Sequence, residues 1–127
     1  MNKNIFFRID IHNQHITVFL PNKTYRLPEN NFRRIKEISH SYSVLTSTVK
    51  GCNYQLIKAG SELWDLTFGE SDFSHQQSQK IYLNIKIVHP INRDRYQIPW
   101  ECLVEPNSQF PVAWHQDFVI YRTDSKY

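Results

Sequence analysis

The side chains of this chain that could act as nucleophiles or metal ligands are two cysteines and six histidines. Cys52 and Cys102 form no CxxC motif, so a zinc site built on them would need histidines that converge from elsewhere in the chain. His12 and His15 are the most closely spaced histidines, but they flank a predicted hairpin tip. We therefore interpret the pair as a solvated turn and predict no metal site.

A catalytic cysteine needs a thiolate held within hydrogen-bonding distance of an imidazole. The only pairing that would make this chain a small enzyme joins Cys102 to His89 or His115. No glycine-bearing loop adjoins either histidine, so the sequence argues against this hypothesis. We expect both cysteines to be reduced thiols and predict no catalytic residue in the chain.

Composition excludes several other classes of function. With three glycines, the chain contains neither GxGxxG nor GxxxxGK[ST], and we expect no nucleotide-type cofactor. Residues 1–60 carry nine Lys and Arg against three Asp and Glu, whereas residues 61–127 carry six against nine. The basic half could indicate nucleic acid, but few aromatic residues interleave with its cations, which argues against that partner.

Length and hydropathy predict one globular domain that spans residues 1–127. Hydrophobic residues make up 40% of the chain and aromatic residues 14%, enough to form a packed core. No apolar stretch approaches the ~20 residues that cross a bilayer, and Arg8 and Asp10 interrupt the first apolar run. We expect a cytoplasmic protein with no membrane partner.

The elements that must position these residues follow from hydrophobic periodicity. Alternation in "NIFFRIDI" and "HITVFL" predicts a hairpin, and "TYRL" predicts a third strand of an antiparallel meander. After Pro28 the period changes to that of a helix, with Asn30 or Asn31 as its cap and Gly51 as its end. A second helix is predicted from about residue 53 to residue 68.

Gly60 lies inside the second predicted helix, where glycine costs ~1 kcal/mol relative to alanine. We infer that another backbone approaches it closely. His75, in the polar connection that follows, has no partner that the sequence identifies.

The carboxyl-terminal part predicts strands. "KIYLNIKIVHP" alternates strongly, and "DFVIYR" is a short apolar run typical of a strand covered on both faces. The predicted fold is α+β: an N-terminal antiparallel β-meander, two helices, and two or three strands of an incomplete sheet.

Between these strands lies "YQIPWECLVEP". Pro99 removes a ladder donor, Trp100 can bury a large ring with its indole N–H seeking an acceptor, and Glu101 needs donors if it is buried. On physical grounds the stretch is a structural turn with an aromatic anchor.

"IPWECLVEP" followed by "DFVIYRTDS" resembles the amino-terminal portion of the CHAT domain, a family of caspase-like cysteine peptidases related to the separases. Pro99, Trp100 and Glu101 match its Pro-Trp-Glu segment, and Arg122 and Ser125 match the strand that comes shortly after. In the helix before that region, "KAGSELWDLTF" is similar as well, with Gly60 and Trp64 in the expected places. The resemblance runs from about residue 53 to the C-terminus and extends to the N-terminal meander.

The resemblance also implies what this sequence lacks. In the family the catalytic histidine, commonly followed by glycine, and the catalytic cysteine come later, each at the end of a core strand. None of the six histidines here precedes a glycine. Cys102 stands at an aliphatic position of the family pattern, so we expect an inert, packed thiol.

Two functions remain open. The chain could be the non-catalytic amino-terminal half of a CHAT-type peptidase, whose sheet is completed by a second polypeptide or a downstream segment that carries the His/Cys dyad. Alternatively, it could be a stand-alone adaptor or regulatory module that binds a peptidase or a helical-repeat protein. In either case we expect the structural or partner-contact residues to be Gly60, Trp64, Pro99, Trp100, Glu101 and Arg122.

Overall fold

The computed structural model describes residues 3–124 except 13, 49–53, 72, 74, 77, 89–97, 107 and 109, and for residues 42–48, 54 and 124 it describes the backbone alone. Five strands form one sheet in the order β3-β2-β1-β4-β5. The strands are β1 (Lys3–Ile11), β2 (Ile16–Leu20), β3 (Lys23–Arg26), β4 (Gln79–Ile87) and β5 (Phe118–Asp124). The helices are α1 (Glu29–Thr48) and α2 (Tyr54–Phe68). The predicted α+β class is confirmed.

The meander at the start of the chain is also confirmed, because β2 pairs antiparallel with both β1 and β3. The later strands join the same sheet in parallel: β4 lies beside β1, and β5 lies beside β4. Parallel neighbours need crossover connections, and the described parts of these connections hold the two helices and three short 3₁₀ turns, Gly69–Ser71, Trp100–Cys102 and Val112–Trp114.

Both helices pack on one face of the sheet, which we call the helix face. The alternating apolar residues of β1 and β4 are buried there, together with the apolar stripes of the helices. This core includes Phe7, Ile9, Phe32, Ile35, Leu63, Trp64, Phe68, Leu83, Ile85 and Trp100. The opposite side, which we call the open face, presents Phe6 (61% exposed) and Tyr121 (42% exposed).

Two sequence expectations are wrong. Helix α1 begins at Glu29 rather than after an Asn30 or Asn31 cap, because Phe32 N–H already donates to the Pro28 carbonyl at 3.0 Å. Strand β5 is not covered on both faces, because Tyr121 is exposed on the open face. The expected end of α1 at Gly51 lies outside the described residues.

Among the described residues, no helix is both long enough and apolar enough to cross a membrane.

Candidate functional site

The Pro-Trp-Glu segment forms a tight 3₁₀ turn between β4 and β5. Trp100–Cys102 is the turn itself, and Cys102 N–H donates to the Pro99 carbonyl at 2.9 Å. Pro99 has a φ of −84° and a ψ of 68°, the geometry of an inverse γ-turn in which Trp100 N–H donates to the Ile98 carbonyl at 2.9 Å. The expectation of a structural turn with an aromatic anchor is confirmed.

Trp100 anchors this turn in the core, where its ring is 1% exposed. Its Nε1 is buried with no hydrogen-bond acceptor among the described residues. The sequence predicted that the indole N–H would find an acceptor, and in the described part of the chain it does not. Packing of the ring therefore outweighs the cost of a buried N–H, which is about 1–3 kcal/mol.

Glu101 and Arg122 form a two-point ion pair between the turn and β5. Arg122 Nη2 donates to Glu101 Oε1 at 2.8 Å, and Nη1 donates to the other carboxylate oxygen. The hydrogen bonds from Arg122 lower the pKa of Glu101 despite partial burial. The donors that Glu101 was expected to need thus come from the arginine that the sequence analysis also selected.

Gly60 brings α2 against the same turn. A Cβ at this position would overlap the Cys102 carbonyl oxygen and would stand 2.8 Å from Val104 Cγ2. The Gly60 carbonyl accepts a hydrogen bond from Val104 N–H at 3.1 Å. The predicted close approach of another backbone is confirmed.

Trp64 lies one turn further along α2 and is buried in the core. Its ring stacks obliquely on Phe68 at 4.7 Å between centroids and meets the edge of Phe118, the first residue of β5, at 6.4 Å. All six residues selected from the sequence therefore lie in α2, the Pro-Trp-Glu turn or β5, and they join these three elements to one another.

Cys102 is half-buried in the turn and packs against the apolar pair Ile38 and Leu56, as expected for a packed thiol. Of the two histidines considered as its catalytic partners, His115 places its Nε2 at 3.2 Å from the Ser108 hydroxyl, and His89 lies outside the described residues. Cys52 and Ser125 also lie outside them.

The side of β5 that faces away from β4, its outer edge, is one of the two edges of the sheet. Among the described residues, no strand pairs with it. Ile81 N–H donates to the Asp117 carbonyl at 2.8 Å. By the alternation of a parallel ladder, the N–H groups of Val119 and Tyr121 then face β4, and those of Ile120 and Arg122 face outward.

A second cluster of polar side chains, centred on His75, was not predicted from the sequence. Its Nδ1 lies 2.9 Å and 3.1 Å from the two carboxylate oxygens of Glu105. Its Nε2 lies 2.9 Å from the Gln79 carbonyl and 3.3 Å from Asp117 Oδ2. An imidazolium, which donates from both nitrogens, satisfies this arrangement best.

Burial and the surrounding hydrogen-bond acceptors shift the pKa values of His75 and Glu105. Burial lowers the pKa of His75, but the Gln79 carbonyl and Glu105 outweigh it, so the pKa is raised overall. Burial also raises the pKa of Glu105, an effect that His75 partly offsets. The folded chain therefore retains protons here more strongly than isolated side chains would.

The cluster lies at the beginning of β4 and β5, since Gln79 opens β4 and Asp117 precedes β5. Ligands of open sheets with parallel strands gather at the opposite, carboxyl ends. We therefore assign His75 to holding the two strands together. Within the described ranges, no group of three or more Asp, Glu, His and Cys side chains is arranged to hold a metal ion.

No protein-family model, curated protein or solved structure matches the chain.

Proposed function

We propose that this chain is the non-catalytic, amino-terminal part of a caspase-like cysteine peptidase of the CHAT type. In this proposal, β5 offers its outer edge to a partner polypeptide or a downstream segment that carries the His/Cys dyad. A strand of that partner or segment completes the sheet by backbone pairing with β5. Helix α2 and the Pro-Trp-Glu turn hold β5 in place for this pairing.

The observation that carries the proposal is the outer edge of β5. An edge strand with outward N–H and C=O groups is a template for pairing with another chain, and natural proteins usually shield such edges with charge, proline or a covering element. Here the outward-facing backbone belongs to Ile120 and Arg122, and the side chain of Arg122 is turned back to Glu101. Strand addition to an exposed edge is a common mode of recognition.

The resemblance of the Pro-Trp-Glu segment and of β5 to the CHAT domain supports the proposal that the partner or downstream segment is the dyad-bearing half of such a peptidase. The packing of Cys102 against Ile38 and Leu56 supports the absence of catalysis by this cysteine. A stand-alone adaptor would also expose the outer edge of β5, so the identity of the partner separates the two functions. The partner of a peptidase half carries the His/Cys dyad, whereas the target of an adaptor need not carry it.

The test is to isolate the complex that forms on the affinity-tagged chain in its native cells and to determine its mass and the partner's sequence. We expect a one-to-one complex in which the second polypeptide carries a histidine followed by glycine and a later cysteine. The matched pair Ile120→Pro and Ile120→Ala tests the edge, because both shorten the side chain and proline alone also removes the outward N–H. Proline should abolish the complex and alanine should retain it.

A chain that remains a monomer with no dyad-bearing segment downstream, or a partner without histidine and cysteine in those contexts, would contradict the peptidase assignment. A complex that tolerates Ile120→Pro as well as Ile120→Ala would contradict pairing through β5.

A further inference from the structure

The open face of the sheet has a chemistry of its own. Register places alternate residues of every strand on this face, opposite the buried set. Four of them are cationic: Arg8, Arg26, Lys80 and Lys86. The one carboxylate is Asp10, and Arg8 Nε already lies 2.9 Å from its Oδ1. Asp10 also stands opposite Lys86 in the register of β1 and β4. Four cations therefore share one carboxylate, and the described strand positions of the open face carry a net positive charge.

Aromatic rings lie between these cations. Phe6 and Tyr82 stack on neighbouring strands with centroids 5.1 Å apart, and Tyr121 is exposed on β5. The arrangement is amphipathic: apolar rings across β1, β4 and β5, with Lys80 and Lys86 near the two ends of β4.

Three neighbouring strands of this mixed sheet, β1, β4 and β5, are parallel, and all-parallel sheets are almost always covered on both faces. The parallel part of the open face is therefore where a covering element is expected. A second copy of this chain does not suit the open face, because like charges would meet. Single-stranded nucleic acid suits the charge, but three of the four aromatic rings on this face already have a neighbour, which leaves Tyr121 to stack on a base. Phe6 and Tyr82 stack on each other, and Arg8 lies 4.0 Å above the Phe19 ring.

We propose that the open face is the docking surface for an acidic amphipathic helix of the partner that completes the sheet. The inference rests on the proposed function, since it assigns a second contact to the same partner. Apolar residues of the helix would cover Phe6, Tyr82 and Tyr121, and its carboxylates would meet Lys80 and Lys86. These two lysines are six residues apart, about 20 Å along a strand, so the helix needs about 13 residues.

The experiment uses the partner polypeptide identified with the tagged chain and a carbodiimide, which joins a lysine amine directly to a carboxylate in contact with it. We expect cross-links from Lys80 and Lys86 to one helix of the partner. The double variant Lys80→Glu/Lys86→Glu should weaken binding about tenfold or more. Lys36→Glu/Lys58→Glu is the matched control, because it makes the same charge change at exposed positions of α1 and α2 and should leave affinity unchanged.

If the Lys80→Glu/Lys86→Glu variant binds like the unmodified chain and the cross-links are absent, the inference is overturned. If Ile120→Pro nevertheless abolishes the complex, the proposed function stands although the inference has failed. If no partner carries the His/Cys dyad, the proposed function and the inference are both overturned. Dimerisation of the isolated chain through Lys80 and Lys86 would assign the open face to another occupant and overturn the inference. The inference would also be overturned if a fluorescein-labelled oligothymidylate bound the unmodified chain and the Lys80→Glu/Lys86→Glu variant lost that binding.

Discussion

Trp100 and Cys102 lie two residues apart in one turn but differ in what they contribute. Trp100 is fully buried, so Trp100→Ala should lower the free energy of unfolding by about 3–5 kcal/mol, measured by urea denaturation. Trp100→Phe should cost less, because it retains most of the ring and removes a buried N–H without an acceptor in the described chain.

Cys102→Ala removes one half-buried sulfur and should cost about 1 kcal/mol or less. The same variant should bind its partner with unchanged affinity and leave any peptidase activity of the complex intact. A complex inactivated by Cys102→Ala would revive the hypothesis that this thiol is a nucleophile.

His75 makes stability depend on pH. Its folded-state pKa is raised above 6.5, so its stabilising contribution is fully present below pH 6.5 and is lost as the pH rises through the folded pKa. The raised pKa of Glu105 acts in the same direction, because the folded chain again binds protons more tightly than the unfolded one.

The measurement is the unfolding free energy from about pH 6 to about pH 8, compared between the unmodified chain and His75→Gln. The difference between the two should shrink as the pH rises, since glutamine does not titrate. A difference that stays constant or grows over that range would show that the imidazolium is not the stabilising form.

At the scale of elements, α2 is positioned by the absence of a side chain at Gly60. Alanine usually stabilises a helix interior by ~1 kcal/mol over glycine, but here its Cβ would overlap the Cys102 carbonyl. Gly60→Ala should therefore destabilise the fold by about 1–3 kcal/mol in thermal or urea unfolding. Gly69→Ala is the control: a Cβ there meets no atom within 4 Å, so the change should lie within about 0.5 kcal/mol of zero.

The Glu101–Arg122 pair ties the Pro-Trp-Glu turn to β5, but both side chains are partly exposed, 43% and 36%. A double-mutant cycle with Glu101→Gln and Arg122→Gln should therefore give a coupling of about 1 kcal/mol or less for unfolding. If the pair positions the outer edge, either single variant should weaken partner binding by more than it weakens folding.

At the scale of the whole molecule, the sequence predicted what depends on local periodicity. It predicted the alternation in β1, β2 and β4, the two helices and the close approach at Gly60. Each of these predictions depends on the types of residues that lie a few positions apart in the sequence. The start of α1 was missed because the Pro28 carbonyl, rather than an asparagine side chain, takes the bond from Phe32 N–H.

Long-range pairing was not predictable in the same way. Nothing in the apolar run of β5 distinguishes a covered strand from an edge strand, since that depends on the order of strands. In the His75 cluster the two carboxylates, Glu105 and Asp117, lie 30 and 42 positions from the histidine, and the polar side chains resemble an ordinary loop until the sheet brings them together. The Glu101–Arg122 pair spans 21 positions, and the sequence selected both residues without pairing them.

The central claim is that another strand pairs with the outer edge of β5. Residue-resolved amide hydrogen exchange tests it most directly, with and without the partner. We predict that the outward N–H groups of Ile120 and Arg122 become strongly protected in the complex, whereas those of Val119 and Tyr121, which already face β4, change little. Unchanged exchange at Ile120 and Arg122 in a saturated complex would contradict the account.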